Sequence, residues 1–169
     1  ICFNRNMAIY AKRNILHLPE NCFIGTFNQL IYSLEPSMSN IMDVETLADT
    51  FLENGNITNF YDVLIIDEGQ DLMIPKVLDV LSLILDKGLK LGSWYVFLDK
   101  NQAIFKQEQQ FNEAMAELQS IITPTIYPLT INCRNTSQIC ETTYDIAKIK
   151  VGKVTRINGP SPEIMYFSD

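Results

Sequence analysis

The chain has 169 residues, of which 47% are hydrophobic and 10% aromatic, as expected for one globular domain or for one domain and a piece of a second. Its formal net charge of −7 argues against a protein that coats nucleic acid over its whole surface. No apolar stretch approaches the roughly 20 residues of a membrane-spanning helix, and no signal peptide is evident, so we expect no association with a membrane.

The four cysteines, Cys2, Cys22, Cys133 and Cys140, are scattered along the chain and form no C-x-x-C pair. Only His17 could add an imidazole ligand, so the sequence does not indicate a zinc site. Scattered cysteines without an export signal are typical of reduced thiols, and we therefore expect a cytoplasmic protein.

The first half of the chain begins with the residues ICF, which are typical of the end of a strand. The sequence then predicts a helix over 6–15 and a short strand over 21–27. Residues 33–60 are the least decided part, in which a polar loop precedes a helix, VETLADTFLENG, that stops near Gly55. Four aliphatic residues, Val63–Ile66, then predict a core strand.

In the second half, apolar residues at helical spacing predict a helix over 74–85, which Gly88 is placed to end. The run SWYVFLD predicts a second core strand over 93–99, and a helix with a polar face follows over 102–120. A turn bracketed by Pro124 and Pro128 leads into a third apolar run, YPLTINCR, and the last predicted helix covers 136–149.

Short aliphatic strands that alternate with helices predict an α/β fold with a parallel sheet covered by helices on both faces. In such a sheet, ligands gather at the carboxyl ends of the strands. Polar and charged residues follow three of the predicted strands: Asp67 and Glu68 follow the first, Asp99 and Gln102 the second, and Arg134 the third. The sequence therefore predicts a functional site at this edge of the sheet.

These residue types suit the hydrolysis of a nucleoside triphosphate. Magnesium is commonly held by one or two carboxylates together with substrate phosphates, which suits Asp67 at a strand end. The adjacent Glu68 could polarise the attacking water, and Gln102 could sense the terminal phosphate through its amide. The positive guanidinium group of Arg134 could stabilise the negative charge that develops on that phosphate during hydrolysis.

The residues around these positions resemble motifs of superfamily 1 helicases of the UvrD/Rep kind. LIIDEGQD (64–71) resembles motif II, usually DExQD, and FLDKNQAIF (97–105) resembles motif III, usually GDxxQxIY. LTINCRN (129–135) is similar to motif IV, usually LxxNYRS. Upstream, CFNRNMA (2–8) resembles motif Ia, and GTFNQL (25–30) resembles the TFH element of motif Ib.

This resemblance implies a RecA-like P-loop NTPase core, present in part, that hydrolyses ATP with Mg²⁺ and moves along single-stranded DNA or RNA. Residues 1–125 would form part of the first RecA-like lobe, with a short insertion at about 31–60. Residues 126–169 would begin the second lobe.

The resemblance also implies a role for each matching residue. Asp67 would coordinate Mg²⁺ and Glu68 would be the catalytic base. Gln102 would lie near the γ-phosphate, and Arg134 would act as an arginine finger from the second lobe. Two further residues, Gln70 and Asp99, would belong to the residues that bind the nucleotide. Gln70 and Gln102 would couple the nucleotide site to the surface that binds single-stranded nucleic acid.

Four residues of the motifs near the start of the chain would lie near single-stranded DNA: Phe3, Asn4, Thr26 and Phe27. There an aromatic ring could stack on bases without reading their sequence. The first 18 residues carry three basic residues and no acidic one, which is consistent with this placement.

The chain also departs from the family. It contains no G-x-x-x-x-G-K-[ST] phosphate-binding motif, and motifs V and VI are missing. Because the first residue is Ile1 rather than Met, we expect an excerpt of a longer helicase or translocase. Because the excerpt lacks the phosphate-binding motif, we expect that it does not hydrolyse ATP by itself. Leu98 stands where motif III usually has Gly, Cys133 where motif IV has Tyr, and Asn28 where motif Ib has His.

Two alternatives stay open. The changes around motifs III and IV slightly favour a non-catalytic, helicase-like module that binds nucleic acid or a protein partner. The retention of four motif residues opposes it: Asp67, Glu68, Gln102 and Arg134. A Mg²⁺-dependent nuclease that uses Asp67 and Glu68 is a weaker alternative, because nuclease sites usually gather acids with a nearby lysine.

Overall fold

The structure is a computed structural model that describes residues 1–2, 4–15, 17–55, 61–102, 107–148, 152–156, 159–163 and 165. The described chain is a mixed α/β protein with two small parallel sheets of two strands each. It divides into two compact units, Ile1–Pro124 and Thr125–Asp169. The identity of these units as RecA-like lobes stays a prediction.

The first unit alternates helices with the two strands of one sheet. Its elements in chain order are α1 (Arg5–Asn14), α2 (Phe27–Leu34), α3 (Val44–Asn54), β1 (Val63–Ile66), α4 (Pro75–Ile84), α5 (Gly88–Leu91), β2 (Ser93–Val96) and α6 (Gln107–Ile121). Short 3-10 turns lie at Pro36–Met38, Gly69–Asp71 and Lys100–Gln102. The latter two turns follow β1 and β2 closely, so they lie at the carboxyl ends of the parallel strands.

Three of these helices begin at a side chain that caps the first turn. The Asn4 side chain accepts a hydrogen bond from the Asn6 N–H, and Asp43 caps α3 in the same way. Thr26 forms a capping box with Gln29, in which each side chain accepts a hydrogen bond from the other residue's backbone N–H. These contacts satisfy N–H groups that have no partner within the helix.

The strand β1 lies between β2 and the segment that begins the chain. It pairs in parallel with β2, with Val63 opposite Ser93. At its carboxyl end, the Ile66 carbonyl accepts a hydrogen bond from the Phe97 N–H at 2.9 Å. The next residue, Asp67, donates its N–H to the Ile1 carbonyl at 2.9 Å and forms a parallel bridge with Cys2. Ile66 and Asp67, which are consecutive, thus form hydrogen bonds on opposite sides of β1.

The β1–β2 sheet buries one face and exposes the other. Leu64 and Ile66 are 6% and 1% exposed, whereas Val63 and Ile65 are 51% and 53% exposed. On β2, Tyr95 is 61% exposed on the same open face as Ile65, its partner in the strand register. The prediction of a sheet covered on both faces is therefore wrong for this sheet. Among the described residues, the helices form a large apolar core against one face and leave most of the other face exposed.

The buried face packs against helices from both sides of β1 in sequence. The core there includes apolar side chains of α2, α3, α4 and α6: Phe27, Leu30, Ile31, Leu47, Ala48, Phe51, Val77, Val80, Leu81, Ile84, Phe111, Ala114 and Leu118. Burial of these side chains is the main source of stability for the first unit.

Helix α1 covers only the margin of the open face. Ala8 packs with Cys2 and Ile24 in a second, smaller apolar cluster. Because Cys2 pairs with Asp67, which continues the alternation of Val63 and Ile65, the Cys2 side chain lies on the same face as theirs. The part of that face formed by β1 and β2 stays exposed.

Two predicted elements differ in the structure. Residues 21–27 form no strand, because Thr26 caps α2 and Phe27 is the first residue of that helix. Gly88 does not end the helix predicted over 74–85: α4 ends at Ile84, and Gly88, with a positive φ of 64°, opens the short helix α5.

The second unit contains β3 (Ile131–Thr136), α7 (Ser137–Ala147) and β4 (Lys153–Arg156). Strands β3 and β4 pair in parallel, and the register is irregular between Asn132 and Thr136. The sequence did not predict β4. Across the described residues of both units, every helix is too short or too polar to cross a bilayer.

Two neighbouring isoleucines test whether the sheet is covered on one face. We expect Ile66→Ala to lower the free energy of unfolding by about 2–5 kcal/mol, because it leaves a cavity in the core. Ile65→Ala makes the same change of residue type in the same strand and is expected to cost less than about 1 kcal/mol. The measurement is urea denaturation followed by the fluorescence of Trp94, the single tryptophan, which lies in β2. Equal losses in the two variants would contradict the one-sided burial.

Candidate functional site

Hydrogen bonds join four of the predicted site residues into one cluster at the ends of β1 and β2. The Gln70 side-chain nitrogen Nε2 donates to Glu68 Oε2 at 2.6 Å. The Gln70 oxygen Oε1 accepts from the Asp99 backbone N–H at 3.1 Å, and Gln102 Nε2 donates to Asp99 Oδ2 at 3.0 Å. We call Glu68, Gln70, Asp99 and Gln102 the Glu68–Gln102 network.

The turn after β1 comes so close to β2 that it needs a glycine. The Gly69 N–H donates to the Phe97 carbonyl at 2.8 Å. A Cβ atom on Gly69 would lie 2.4 Å from Val96 Cγ1 and 3.2 Å from the Phe97 carbonyl oxygen. Any larger residue would therefore push the turn away from β2, and with it the residues on either side.

Gln70 is a buried polar residue, with only 3% of its surface exposed. A buried amide is costly unless its donor and acceptor atoms are both used. Both are used here, because Nε2 donates to Glu68 and Oε1 accepts from Asp99. The sequence predicted that Gln70 belongs to the nucleotide-binding set, and the structure shows an amide that is engaged within the protein.

Glu68 has a backbone conformation that few residues other than glycine adopt. Its φ of 55° and ψ of 47° are left-handed, at the start of the 3-10 turn Gly69–Asp71. Such a conformation costs roughly 1–2 kcal/mol for an L-residue, so the surrounding contacts have to offset it. The bonds made by Gly69 and Gln70 hold the chain in this turn.

Asp67 follows β1 directly, half-buried on the open face of the sheet. In the described part of the chain its carboxylate accepts no hydrogen bond. Those residues also contain no group of three or more His, Cys, Asp or Glu side chains that could hold a metal ion. Magnesium is often held by one or two carboxylates, with waters and phosphate oxygens as the other ligands. Asp67 fits that kind of shared site and not a metal cage built by the protein alone.

Asp71, the last residue of the turn, is a feature of the site to which the sequence assigned no role. Burial raises the pKa of its carboxyl group above the ordinary value of 3.8, and the negative charge of Glu68 raises it further. Asp71 also lines an open cavity of about 330 Å³, together with Asp43, Glu45 and Gln110. The position of Asp71 at the end of DEGQD was the one sign in the sequence that it belongs to the site. The neighbouring residues gave no indication that its side chain is partly buried.

The residues predicted near nucleic acid take structural roles where the structure describes them. The side chains of Asn4 and Thr26 cap α1 and α2. Phe27 is 1% exposed in the core, so its ring offers no surface for stacking on a base in this structure. The placement of these residues near single-stranded nucleic acid stays a prediction. Phe3 lies outside the described residues.

Arg134 lies on β3 of the second unit, where its side chain is exposed. Its backbone N–H donates to Asn132 Oδ1 at 3.0 Å, and the N–H of Asn135 donates to the same oxygen. The Asn132 side chain thus shapes the irregular part of β3 around Arg134. The role of Arg134 as an arginine finger stays a prediction.

No protein-family model, curated protein or solved structure matches the chain. The resemblance to superfamily 1 helicases therefore depends on the sequence motifs alone.

The raised pKa of Asp71 predicts how a variant changes stability with pH. Because the folded state disfavours the charged carboxylate, the ionisation of Asp71 lowers stability as the pH rises through its folded-state pKa. We expect Asp71→Asn to be more stable than the wild type at pH 7, by less than about 1 kcal/mol for this partly exposed group. The advantage should disappear below pH 3.8, where the carboxyl group is protonated in both the folded and the unfolded chain.

The measurement for Asp71→Asn is urea denaturation at a series of pH values. Asp62→Asn is the matched control, because it makes the same change of charge at an exposed aspartate just before β1. The same pH-dependent gain in Asp62→Asn would attribute the effect to net charge and contradict a local cause at Asp71.

Proposed function

We propose that this chain is part of an ATP-dependent helicase or translocase, which couples ATP hydrolysis to movement along single-stranded nucleic acid. The observation that carries the proposal is the Glu68–Gln102 network at the carboxyl ends of β1 and β2. Residues that the helicase motifs mark as functional, 34 positions apart in the sequence, are joined by three consecutive contacts. Parallel α/β sheets bind their ligands at this edge.

In this proposal, the fold is a RecA-like P-loop NTPase core, and the first unit provides the water-activating side of the active site. Asp67 binds Mg²⁺, which would neutralise charge on the phosphates during transfer. Glu68 accepts a proton from the attacking water, and Gln102 contacts the terminal phosphate. Arg134 of the second unit supplies a positive charge to the phosphate during hydrolysis.

The proposed partner is single-stranded DNA or RNA, and the proposed location is the cytoplasm. Support for the partner comes from α1, whose three basic residues, Arg5, Lys12 and Arg13, are all exposed. Lys12 also lies 5.9 Å from the centroid of the Phe23 ring, so a cation and an aromatic ring are close together on this surface. Basic and aromatic groups together are typical of surfaces that bind single strands.

Glu68→Gln tests the proposal in the purified full-length protein that contains this chain. We expect the kcat of ATP hydrolysis stimulated by single-stranded DNA to fall by roughly 10²–10⁴-fold, because the amide cannot accept the proton of the attacking water. Binding of ATP should persist, because Glu68 is proposed to act on water and not on the nucleotide. The matched control is Glu53→Gln, at an exposed position of α3, which should hydrolyse ATP at the wild-type rate.

A wild-type protein that binds single strands but hydrolyses no ATP would contradict the enzyme and favour the non-catalytic binding module. Full activity in Glu68→Gln would remove Glu68 from the role of the catalytic base. The 169-residue chain alone lacks a G-x-x-x-x-G-K-[ST] sequence and should not hydrolyse ATP.

A further inference from the structure

We propose that Gln70 is a positioning residue, which holds the Glu68 carboxylate in place and links its orientation to the turn that follows β2. The inference rests on the proposed function, in which Glu68 is the catalytic base. It goes beyond that function because it moves Gln70 from the residues that contact nucleotide to a role within the protein.

The first step of the argument is the direction of the Gln70 amide. A backbone N–H can only donate a hydrogen bond, so the atom that faces the Asp99 N–H at 3.1 Å has to be the amide oxygen. The NH₂ group then faces Glu68, with Nε2 at 2.6 Å from Oε2. In the reversed amide, the NH₂ would face an N–H and the oxygen would face a carboxylate, and both contacts would be repulsive. The backbone of Asp99 thus selects the orientation that suits Glu68.

The second step is the anchorage of Gln70. It is 3% exposed and belongs to the 3-10 turn Gly69–Asp71, where the Leu72 N–H donates to the Gly69 carbonyl at 3.0 Å. The turn itself is attached to β2 through the Gly69 N–H and the Phe97 carbonyl. Glu68, by contrast, is less buried and has a long side chain with several rotatable bonds. The contact with Gln70 therefore restricts Glu68 to one of many orientations.

The third step is the link to Gln102. The same residue whose N–H orients Gln70, Asp99, also accepts a hydrogen bond from Gln102 Nε2 through its carboxylate. A movement of the turn Lys100–Gln102 that displaces Asp99 would weaken the contact that orients Gln70. Glu68 would then lose its fixed orientation. In the proposed enzyme, a ligand that moves Gln102 therefore changes the position of Glu68 through Gln70.

Two substitutions of Gln70 separate its two contacts. Gln70→Met has a similar length and suits a buried site, but it loses both the donor to Glu68 and the acceptor for the Asp99 N–H. Gln70→Glu keeps an acceptor for Asp99 but replaces the donor with a carboxylate that repels Glu68. The matched control is Gln109→Met, because Gln109 is exposed on α6 and donates to Glu113 at 2.8 Å.

The first readout is amide hydrogen exchange in the 169-residue chain, measured by NMR. We expect the Asp99 amide to exchange about tenfold faster in Gln70→Met and to keep its protection in Gln70→Glu. The amide of Phe97 bonds to the Ile66 carbonyl and is the internal control, which should be unchanged in both variants. An Asp99 amide with wild-type exchange in Gln70→Met would overturn the proposed anchorage.

The second readout is ATP hydrolysis stimulated by single-stranded DNA in the full-length protein. We expect both variants to lower kcat by roughly 10–100-fold with the KM for ATP within about twofold of the wild type, because a misplaced base slows the chemical step and not binding. A purely structural role would lower the stability of both variants, without a fall in kcat in the protein that remains folded. Wild-type kcat in folded Gln70→Glu would overturn the positioning role.

The two readouts distinguish the failure of this inference from the failure of the proposed function. If the wild-type full-length protein hydrolyses no ATP, the proposed function fails, and the catalytic part of this inference fails with it. If the wild type is active and the Gln70 variants are equally active, only the inference fails. If a change in Trp94 fluorescence shows that Gln70→Met is unfolded, the kcat of Gln70→Glu decides whether Gln70 positions Glu68.

Discussion

The approach of the turn after β1 to the end of β2 is the constraint on which the candidate site depends. It is made by one hydrogen bond, from the Gly69 N–H to the Phe97 carbonyl, at a position where a Cβ atom would lie 2.4 Å from Val96. This contact brings Gln70 within reach of the Asp99 N–H and gives Glu68 its left-handed backbone. The site is thus a product of strand pairing, because two turns 31 positions apart in the sequence meet only when β1 and β2 lie side by side.

The electrostatics of the site follow from this geometry. Four carboxylates, Asp67, Glu68, Asp71 and Asp99, lie in or directly before the two turns, and the Gln70 and Gln102 amides contact two of them. A neutral amide donates a hydrogen bond without the desolvation cost of a buried cation. The amides do not cancel the repulsion between the acids, however: the pKa of Asp71 is raised mainly by burial and further by the negative charge of Glu68. In the proposed function, the Mg²⁺ ion would offset part of this negative charge.

Much of the fold could be predicted from local patterns, and the exceptions have identifiable causes. The strand Val63–Ile66 and the helices around it follow from aliphatic runs and helical spacing. The one-sided burial of β1 could not be predicted, because four aliphatic residues in a row show no alternation between the two faces. Residues 21–27 were predicted as a strand from their apolar character, although Thr26 and Gln29 have the spacing of a capping box. At the candidate site, Asp67, Glu68 and Gln102 were predicted from their positions after strands, and the structure places Glu68 and Gln102 in one hydrogen-bond network. The burial of Gln70 could not be, since it depends on a partner 29 positions away.

The open face of the sheet also affects how the chain behaves in solution. It presents Val63, Ile65 and Tyr95 to solvent and continues to the free side of β2, which in the described residues pairs only with β1. An unprotected strand margin offers N–H and C=O groups to any other extended chain, and apolar side chains beside it strengthen the contact. The net charge of −7 opposes such contacts between molecules, but salt screens that repulsion. We therefore expect that this chain can aggregate by intermolecular sheet formation, which high protein concentration and high ionic strength would favour.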